Sequence, residues 1–179
     1  MWNTIFEYEF ARMPGADSDE IASFIVTWNR SLTEQEMKEI RDRQRNPFHK
    51  NSPFYSQYKP LEPSGWSFPQ LDFPQSYLDF LSFSNGGEFQ NGERNFQFFS
   101  TRTLREMNLA YEFAEYMPGS VSFAMDGSGN HYIFDMRKPQ EGGEYPILVA
   151  HSGNLDYEEC TLAADSFNRL CTERGEIQL

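Results

Sequence analysis

The hydrophobic pattern of this 179-residue chain predicts a helix in the stretch that follows Asp72. Its large apolar positions fall at helical spacing and therefore share one helix face: Phe73, Tyr77, Phe80 and Leu81. Pro74 suits the first turn, because an N–H group has no partner there. Asn85-Gly86-Gly87 follows, and these residue types readily adopt the left-handed conformation that closes a helix. The pattern predicts a core helix with a sharp exit into a sheet.

Two further helices are predicted before this stretch. The first carries apolar residues at amphipathic spacing: Ile21, Phe24, Ile25 and Trp28. The second begins at a capping box formed by Thr33 and Glu36 and extends to about Arg45. The first ten residues predict a short strand or strand pair. Residues 46–69 predict an extended connection, with burial of its aromatic residues Phe48, Phe54, Tyr55, Tyr58 and Trp66.

After Gly87 the pattern changes to strands. Residues 95–99 alternate, and residues 121–125 and 132–136 predict a hairpin around the loop that begins at Asp126. Thr103 and Glu106 form a second possible capping box, for a helix that continues to Ala114. Residues 145–150 predict another strand. Thr161 is predicted to cap a final helix whose sheet-facing residues are Ala163, Ala164, Phe167, Leu170 and Cys171.

These elements together predict an α+β fold. Its twisted, mostly antiparallel sheet has four to six strands, and helices pack on one face of that sheet. Residues 61–179 form the main domain. Residues 1–60 are an N-terminal extension that is packed on that domain or continuous with it.

Composition and charge narrow the functional classes. The net charge of −12 is concentrated in residues 61–179, which carry −11, whereas residues 1–60 carry −1. An acidic surface repels nucleic acid and anionic membranes and attracts basic partners, although acidity also serves solubility. No apolar run approaches the ~20 residues of a membrane span, and no signal segment is visible, so we expect a cytoplasmic protein. Cys160 and Cys171 lie too far apart to pair if both belong to the last helix.

Candidate catalytic and metal chemistry finds little support in the sequence. The loop from Asp126 to Asn130 resembles the start of an EF-hand, but His131 and Arg137 occupy positions that need Gly and Glu. His131 and Asp135 share a strand face and could hold a metal together with His151 or Asp126. A solvated strand face is the better interpretation, and Ser128 and the two cysteines lack activating neighbours. We therefore expect no catalytic residue, no metal and no cofactor.

A protein-binding surface is the remaining hypothesis. Aromatic residues anchor such interfaces, and carboxylates steer a basic partner. The predicted partner-binding residues are Glu88, Glu93, Asp126, Tyr132, Asp135, Tyr157, Glu158 and Glu159, and we also considered Glu112, Glu115 and Tyr116. For each of them the alternative is a solvated acidic exterior.

Several of these segments resemble the SUKH superfamily, which includes fungal cell-wall assembly regulators of the Smi/Knr type and many bacterial immunity proteins. The first matching segment begins with Phe73-Pro74, where Leu-Pro is more usual in the family. Residues 123–135, FAMDGSGNHYIFD, match the family's strand, Asp-Gly loop and strand. Leu104, Asn108 and Tyr111 match its next helix, and residues 164–167 match its closing element. The similarity covers roughly residues 66–171, and its structural motif consists of Pro74, Tyr77, Phe80, Leu81, Asn85, Gly86, Gly87 and Gly129.

The resemblance implies a non-enzymatic binding protein. In its leading form this is an immunity protein that neutralises a bacterial toxin, often a nuclease, by direct binding. A regulatory or scaffold module of the cell-wall regulator type is the alternative. A small-molecule or metal binder that uses Asp126, His131 and Asp135 is a third hypothesis.

Overall fold

The computed structural model describes residues 2–138 and 142–178. Residues 1–30 together with 68–179 form one compact unit, and residues 31–67 form a second. The boundaries of these two units differ from residue 60, and the predicted domain boundary stays a prediction.

The larger unit contains an antiparallel sheet of seven strands within the described residues, in the order β1 to β7. The strands are β1 (Tyr8–Arg12), β2 (Gly87–Asn91), β3 (Arg94–Phe98), β4 (Ser120–Met125), β5 (Asn130–Asp135), β6 (Ile147–His151) and β7 (Thr161–Ala164). Each strand pairs with its neighbours in sequence. The predicted α+β class and antiparallel sheet are confirmed, but the prediction of four to six strands is wrong.

The C-terminal strand β7 is one of the strands that the prediction missed. Thr161 does not cap a helix, because residues 161–164 pair with β6 as β7. The last helix begins only at Phe167, where the Ser166 hydroxyl accepts a hydrogen bond from the Arg169 N–H at 3.3 Å. Cys160 therefore lies outside that helix, and both cysteines are free thiols.

The helices are α1 (Ser18–Asn29), α2 (Glu34–Arg43), α3 (Gln75–Phe83), α4 (Leu104–Ala110), α5 (Phe113–Tyr116) and α6 (Phe167–Thr172). Short 3₁₀ turns lie at Trp2–Thr4, Tyr55–Gln57 and Pro63–Gly65. The predicted helices α1 and α3 are confirmed. No helix in the described part of the chain is long and apolar enough to cross a membrane.

The smaller unit is organised around α2. Both hydrogen bonds of the predicted capping box between Thr33 and Glu36 are present. Arg41 pairs with Glu62 at 2.6 Å, which ties the helix to the connection that follows it. The predicted burial of Phe48, Phe54 and Tyr55 is wrong, because these residues are exposed and Phe48 packs instead on Phe54, with ring centroids 5.7 Å apart.

The first face of the sheet is covered by α3 and α6. Tyr77 and Phe80 of α3 are fully buried, as the helical spacing predicted. The Tyr77 ring lies 5.3 Å from that of Phe167 on α6 and 5.4 Å from that of Phe134 on β5. Trp2 joins the same core, with its ring 5.4 Å from that of Phe80. The N-terminal residues are thus part of the main hydrophobic core.

The turn after α3 binds the N-terminal segment. The helix ends at Phe83, and the Ser84 hydroxyl accepts from the Met13 N–H at 3.0 Å while it donates to the Gly86 carbonyl at 2.6 Å. Gly87 has φ +118, and a Cβ there would lie 2.1 Å from the Ala11 carbonyl oxygen. The left-handed residues therefore turn the chain into β2 and let β1 approach, rather than closing the helix themselves.

The second face of the sheet is also partly covered, so the prediction of helices on one face is wrong. Phe113 of α5 packs with Ile133, Leu148 and Ala150, which point away from the first face. The predicted helix up to Ala114 breaks at Glu112, which has φ +59. This break separates α4 from α5.

The predicted capping box at Thr103 does not form. The Thr103 hydroxyl accepts instead from the Ser100 N–H at 2.9 Å, and Thr103 has helical rather than extended backbone angles. A capping box needs an extended residue at the cap position, so this geometry excludes it.

The residues predicted to form a solvated strand face, His131 and Asp135, are buried beneath this second layer. His131 Nδ1 lies 2.8 Å from the Ser122 hydroxyl. Asp135 accepts two hydrogen bonds from the Arg137 guanidinium, at 2.8 and 2.9 Å. The same guanidinium lies 3.2 Å above the ring centre of Tyr157. The prediction failed because α5 and the segment after β6 cover this half of the face.

We expect Gly87→Ala to lower the free energy of unfolding by at least about 2 kcal/mol. A left-handed alanine alone costs roughly 1–2 kcal/mol, and its Cβ would collide with the Ala11 carbonyl. Denaturant unfolding of both proteins measures the change. Gly175→Ala is the matched control, because its Cβ would meet no atom within 4 Å. Equal losses in the two variants would show that the approach of β1 is not the constraint.

His131 makes stability depend on pH. Its pKa is lowered to about 4, mainly by burial and to a smaller extent by the nearby His151, while the Asp126 charge acts in the opposite direction. The pKa of an unfolded histidine is about 6.5. Because the pKa of His131 is lower in the folded state, its contribution to the free energy of unfolding is complete above about pH 6.5 and is lost as the pH falls towards 4. We expect a contribution of about 2 kcal/mol to be lost between pH 7 and pH 5.

His131→Gln tests this prediction in denaturant unfolding at pH 7 and pH 5. The variant should lose about 2 kcal/mol less stability over this range than the native chain does. His49→Gln, at an exposed position, should retain the native pH dependence. An unchanged pH dependence in His131→Gln would contradict the prediction.

Candidate functional site

Three of the predicted partner-binding residues line one cavity of about 280 Å³. We call it the Tyr132 cavity and define it by Glu93, Arg94, Asp126, Asn130, Tyr132 and Glu176. The turn before β3, the loop between β4 and β5, and the C-terminal residues contribute these side chains. β2 and β3 form one hairpin and β4 and β5 form another, and the pairing of β3 with β4 places the two hairpin ends side by side.

The loop between β4 and β5 is organised by the Asp126 carboxylate. It accepts hydrogen bonds from the Ser128 N–H at 2.7 Å, the Asn130 N–H at 3.0 Å and the Asn130 side-chain amide at 2.7 Å. Gly129 supplies a left-handed residue in the same turn. Asp126 therefore shapes the hairpin, as the sequence indicated, and contributes negative charge to the cavity.

Arg94 is the positively charged side chain in the cavity wall. Its guanidinium donates to the Gly175 carbonyl at 2.8 Å, to the Leu170 carbonyl at 2.9 Å and to the Glu173 carboxylate at 2.9 Å. These bonds bind the C-terminal segment to β3. Because its donors are engaged in this way, Arg94 is a structural cation.

Tyr132 lies on the wall of the cavity and is only 3% exposed. Its ring packs on Phe96, with ring centroids 5.1 Å apart, and on Phe123. Burial raises the pKa of its hydroxyl, and the nearby Asp126 charge adds to the rise. Among the described residues, no group forms a hydrogen bond with this hydroxyl. Tyr132 is thus not the exposed anchor that the sequence suggested, but a neutral polar group facing a cavity.

The remaining predicted residues lie elsewhere. Glu88 is exposed on β2. Glu158 and Glu159 are exposed in the segment between β6 and β7, and Tyr157 is half-buried there, with its hydroxyl donating to the Pro118 carbonyl at 2.9 Å. Asp135 is buried and paired with Arg137, so it presents no surface to a partner.

A second cleft, of about 500 Å³, lies beside α5. Two of the considered residues, Glu112 and Tyr116, line it together with Tyr111 and Asp156. Glu115 is exposed on α5 but is not part of the wall. Within the described ranges, no three His, Cys, Asp or Glu side chains are arranged to hold a metal ion.

Sequence reasoning missed an aromatic pair on β1. Tyr8 and Phe10 are 54% and 63% exposed, and their rings stack with centroids 5.8 Å apart. Tyr8 pairs with Gln90 on β2, so it shares the sheet face of Glu88. Alternation at Tyr8 and Phe10 was visible in the sequence, but nothing there indicated that both rings face solvent on an edge strand.

Comparison with known proteins identifies the family. A family model described as SMI1 / KNR4 family (SUKH-1) matches residues 67–173, which is more than half of the chain. No curated protein sequence matches the chain at a significant level. The matched region contains the aromatic helix α3, the turn at residues 84–87 and the β4–β5 hairpin. The chain therefore belongs to the SMI1/KNR4 family (SUKH-1).

Proposed function

We propose that this chain is a non-enzymatic immunity protein, which acts in the cytoplasm and neutralises a basic toxin domain by direct binding. It needs no cofactor for this role and binds neither nucleic acid nor membrane. Family membership supports a binding protein of the immunity or regulatory kind. The choice of a basic partner depends on the charge of the larger unit.

The observation that carries the proposal is the charge distribution in that unit. Residues 1–30 and 68–179 contain 22 acidic and nine basic residues, a net charge of −13, whereas residues 31–67 carry +1. Six arginines of the larger unit form ion pairs with carboxylates of the same unit: Arg12, Arg94, Arg102, Arg137, Arg169 and Arg174. The excess charge of the unit is therefore carried by acidic groups, and such a surface accelerates association with a basic protein.

The uncovered part of the second sheet face supplies an apolar contact next to this charge. Tyr8 and Phe10 expose a stacked aromatic surface, and Glu88, Asn95 and Gln97 are exposed on the neighbouring strands. Aromatic residues surrounded by polar groups are typical anchors of protein interfaces. We propose that toxin binding uses this face together with the acidic groups around it.

A regulatory or scaffold protein of the cell-wall regulator type is the second candidate, since the matched family model bears the name of those regulators. The same acidic and aromatic surface would then bind a cellular protein. A toxin encoded by the neighbouring gene, with rescue of growth by this chain, separates the two functions.

We expect co-expression with the product of the neighbouring gene to yield a complex whose association slows as salt rises. Neutralising exposed acids in the triple variant Glu88→Gln, Glu158→Gln and Glu159→Gln should lower the association rate roughly three- to tenfold at low ionic strength, because steering is lost. Stopped-flow or surface binding at low and moderate salt measures this effect.

The matched control removes the same three charges from other exposed positions: Asp19→Asn, Glu34→Gln and Glu39→Gln. It should leave the association rate nearly unchanged. Equal effects of the two triple variants would refute steering by the proposed surface, and capture of a harmless housekeeping protein alone would favour the regulatory function.

A further inference from the structure

The Tyr132 cavity combines excess negative charge with an unused hydroxyl. Three carboxylates line it, those of Glu93, Asp126 and Glu176, against the single guanidinium of Arg94. Among the described residues, the side chains of Glu93 and Glu176 form neither an ion pair nor a hydrogen bond. Two carboxylates are thus available to a ligand at the mouth of the cavity.

The cation in the wall does not offset this charge for a ligand. The Arg94 guanidinium is held by the Leu170 and Gly175 carbonyls and by Glu173, at 2.8 to 2.9 Å. An anionic ligand would find few free N–H donors and would be repelled by three carboxylates. A cationic ligand would be attracted by the same carboxylates, so the charge of the cavity selects for positive groups.

The Tyr132 hydroxyl is the second, independent observation. Tyr132 lines the cavity and is only 3% exposed. Its hydroxyl forms no hydrogen bond with any described residue. The hydroxyl oxygen is not one of the fully buried polar atoms without a partner, so water reaches it through the cavity, and a bound donor can replace that water. Its ring is held in place by Phe96, at a centroid distance of 5.1 Å, so the hydroxyl is fixed before any ligand arrives.

We infer that the Tyr132 cavity receives a lysine or arginine side chain of the protein partner. Its N–H group donates to the Tyr132 hydroxyl, while its charge lies between the carboxylates of Glu93 and Glu176. Asp126 contributes charge, since its oxygens already accept three hydrogen bonds within the loop. The inference rests on the proposed function, and it adds the position and the chemistry of one contact with the partner.

The direct test is an NMR titration of the full chain with Nα-acetyl-arginine amide and Nα-acetyl-lysine amide. The neutral isostere Nα-acetyl-citrulline amide is the matched control probe. We expect saturable shifts at the Tyr132 ring and the Asn130 side-chain amide with at least one of the basic probes, and no saturable shift there with citrulline amide. Equal binding of the citrulline probe, shifts confined to other surfaces, or no saturable shift would overturn the inference.

Variants of the cavity refine the same titration. Tyr132→Phe removes only the hydroxyl and keeps the packed ring, so it should fold normally and weaken binding of the basic probe roughly fivefold. The double variant Glu93→Gln and Glu176→Gln should weaken binding roughly three- to tenfold. Glu158→Gln with Glu159→Gln removes equal charge outside the cavity and should have no such effect. Unchanged affinity in both cavity variants would contradict the inference.

A complex with the partner separates failure of this inference from failure of the proposed function. If a captured basic partner binds Tyr132→Phe and the Glu93/Glu176 double variant as tightly as the native chain, the cavity contact is wrong and the proposed function stands. If the arginine or lysine probe binds in the cavity but no basic toxin partner exists, the cavity's chemistry is supported and the proposed function is wrong.

Discussion

The close approach of the N-terminal segment to the end of α3 is the constraint on which the rest of the larger unit depends. A Cβ at Gly15 would lie 1.8 Å from the Ser82 carbonyl oxygen, and a Cβ at Gly87 would lie 2.1 Å from the Ala11 carbonyl oxygen. Because both residues are glycines without a Cβ, the Ser84 hydroxyl can accept a hydrogen bond from the Met13 N–H. This contact aligns β1 with β2 and delivers Trp2 and Phe6 to the core. The strand that exposes Tyr8 and Phe10 exists only because this approach is possible.

The sequence predicted the elements whose pattern is local. The aromatic spacing of α3, the amphipathic spacing of α1 and the alternating strands of the β4–β5 hairpin each contain their own signal over about ten residues. The errors arose where a neighbour in space decides the outcome. Residues 161–164 are too few to show a period, and pairing with β6 makes them a strand. Likewise, a left-handed Glu112 divides one predicted helix into two and moves Phe113 over the second face.

The candidate site follows the same division. The concentration of acidic residues after residue 60 is a property of composition, so the sequence showed it directly. That Tyr132 and Asp135 are buried could not be predicted, because strand alternation states which residues share a face but not which face is covered. His131 illustrates the point, since its strand face was expected to be solvated and it lies instead against Tyr111, with ring centroids 4.4 Å apart. The cavity arises where two hairpin ends meet the C-terminal residues, and no single segment encodes it.

The motif that identifies the family is used almost entirely for the fold. The Asn85 side chain binds the Thr101 N–H, its amide reaches Glu20 of α1, and the turn around it binds the backbone of residues 13 and 14. Tyr77, Phe80 and Leu81 are fully buried in the core. None of these groups is presented to a partner, so a match to the family reports how the chain folds. Under the proposed function, partner choice would depend on residues outside the motif, namely the exposed acids and the aromatic pair of β1, because substitutions there leave the core intact.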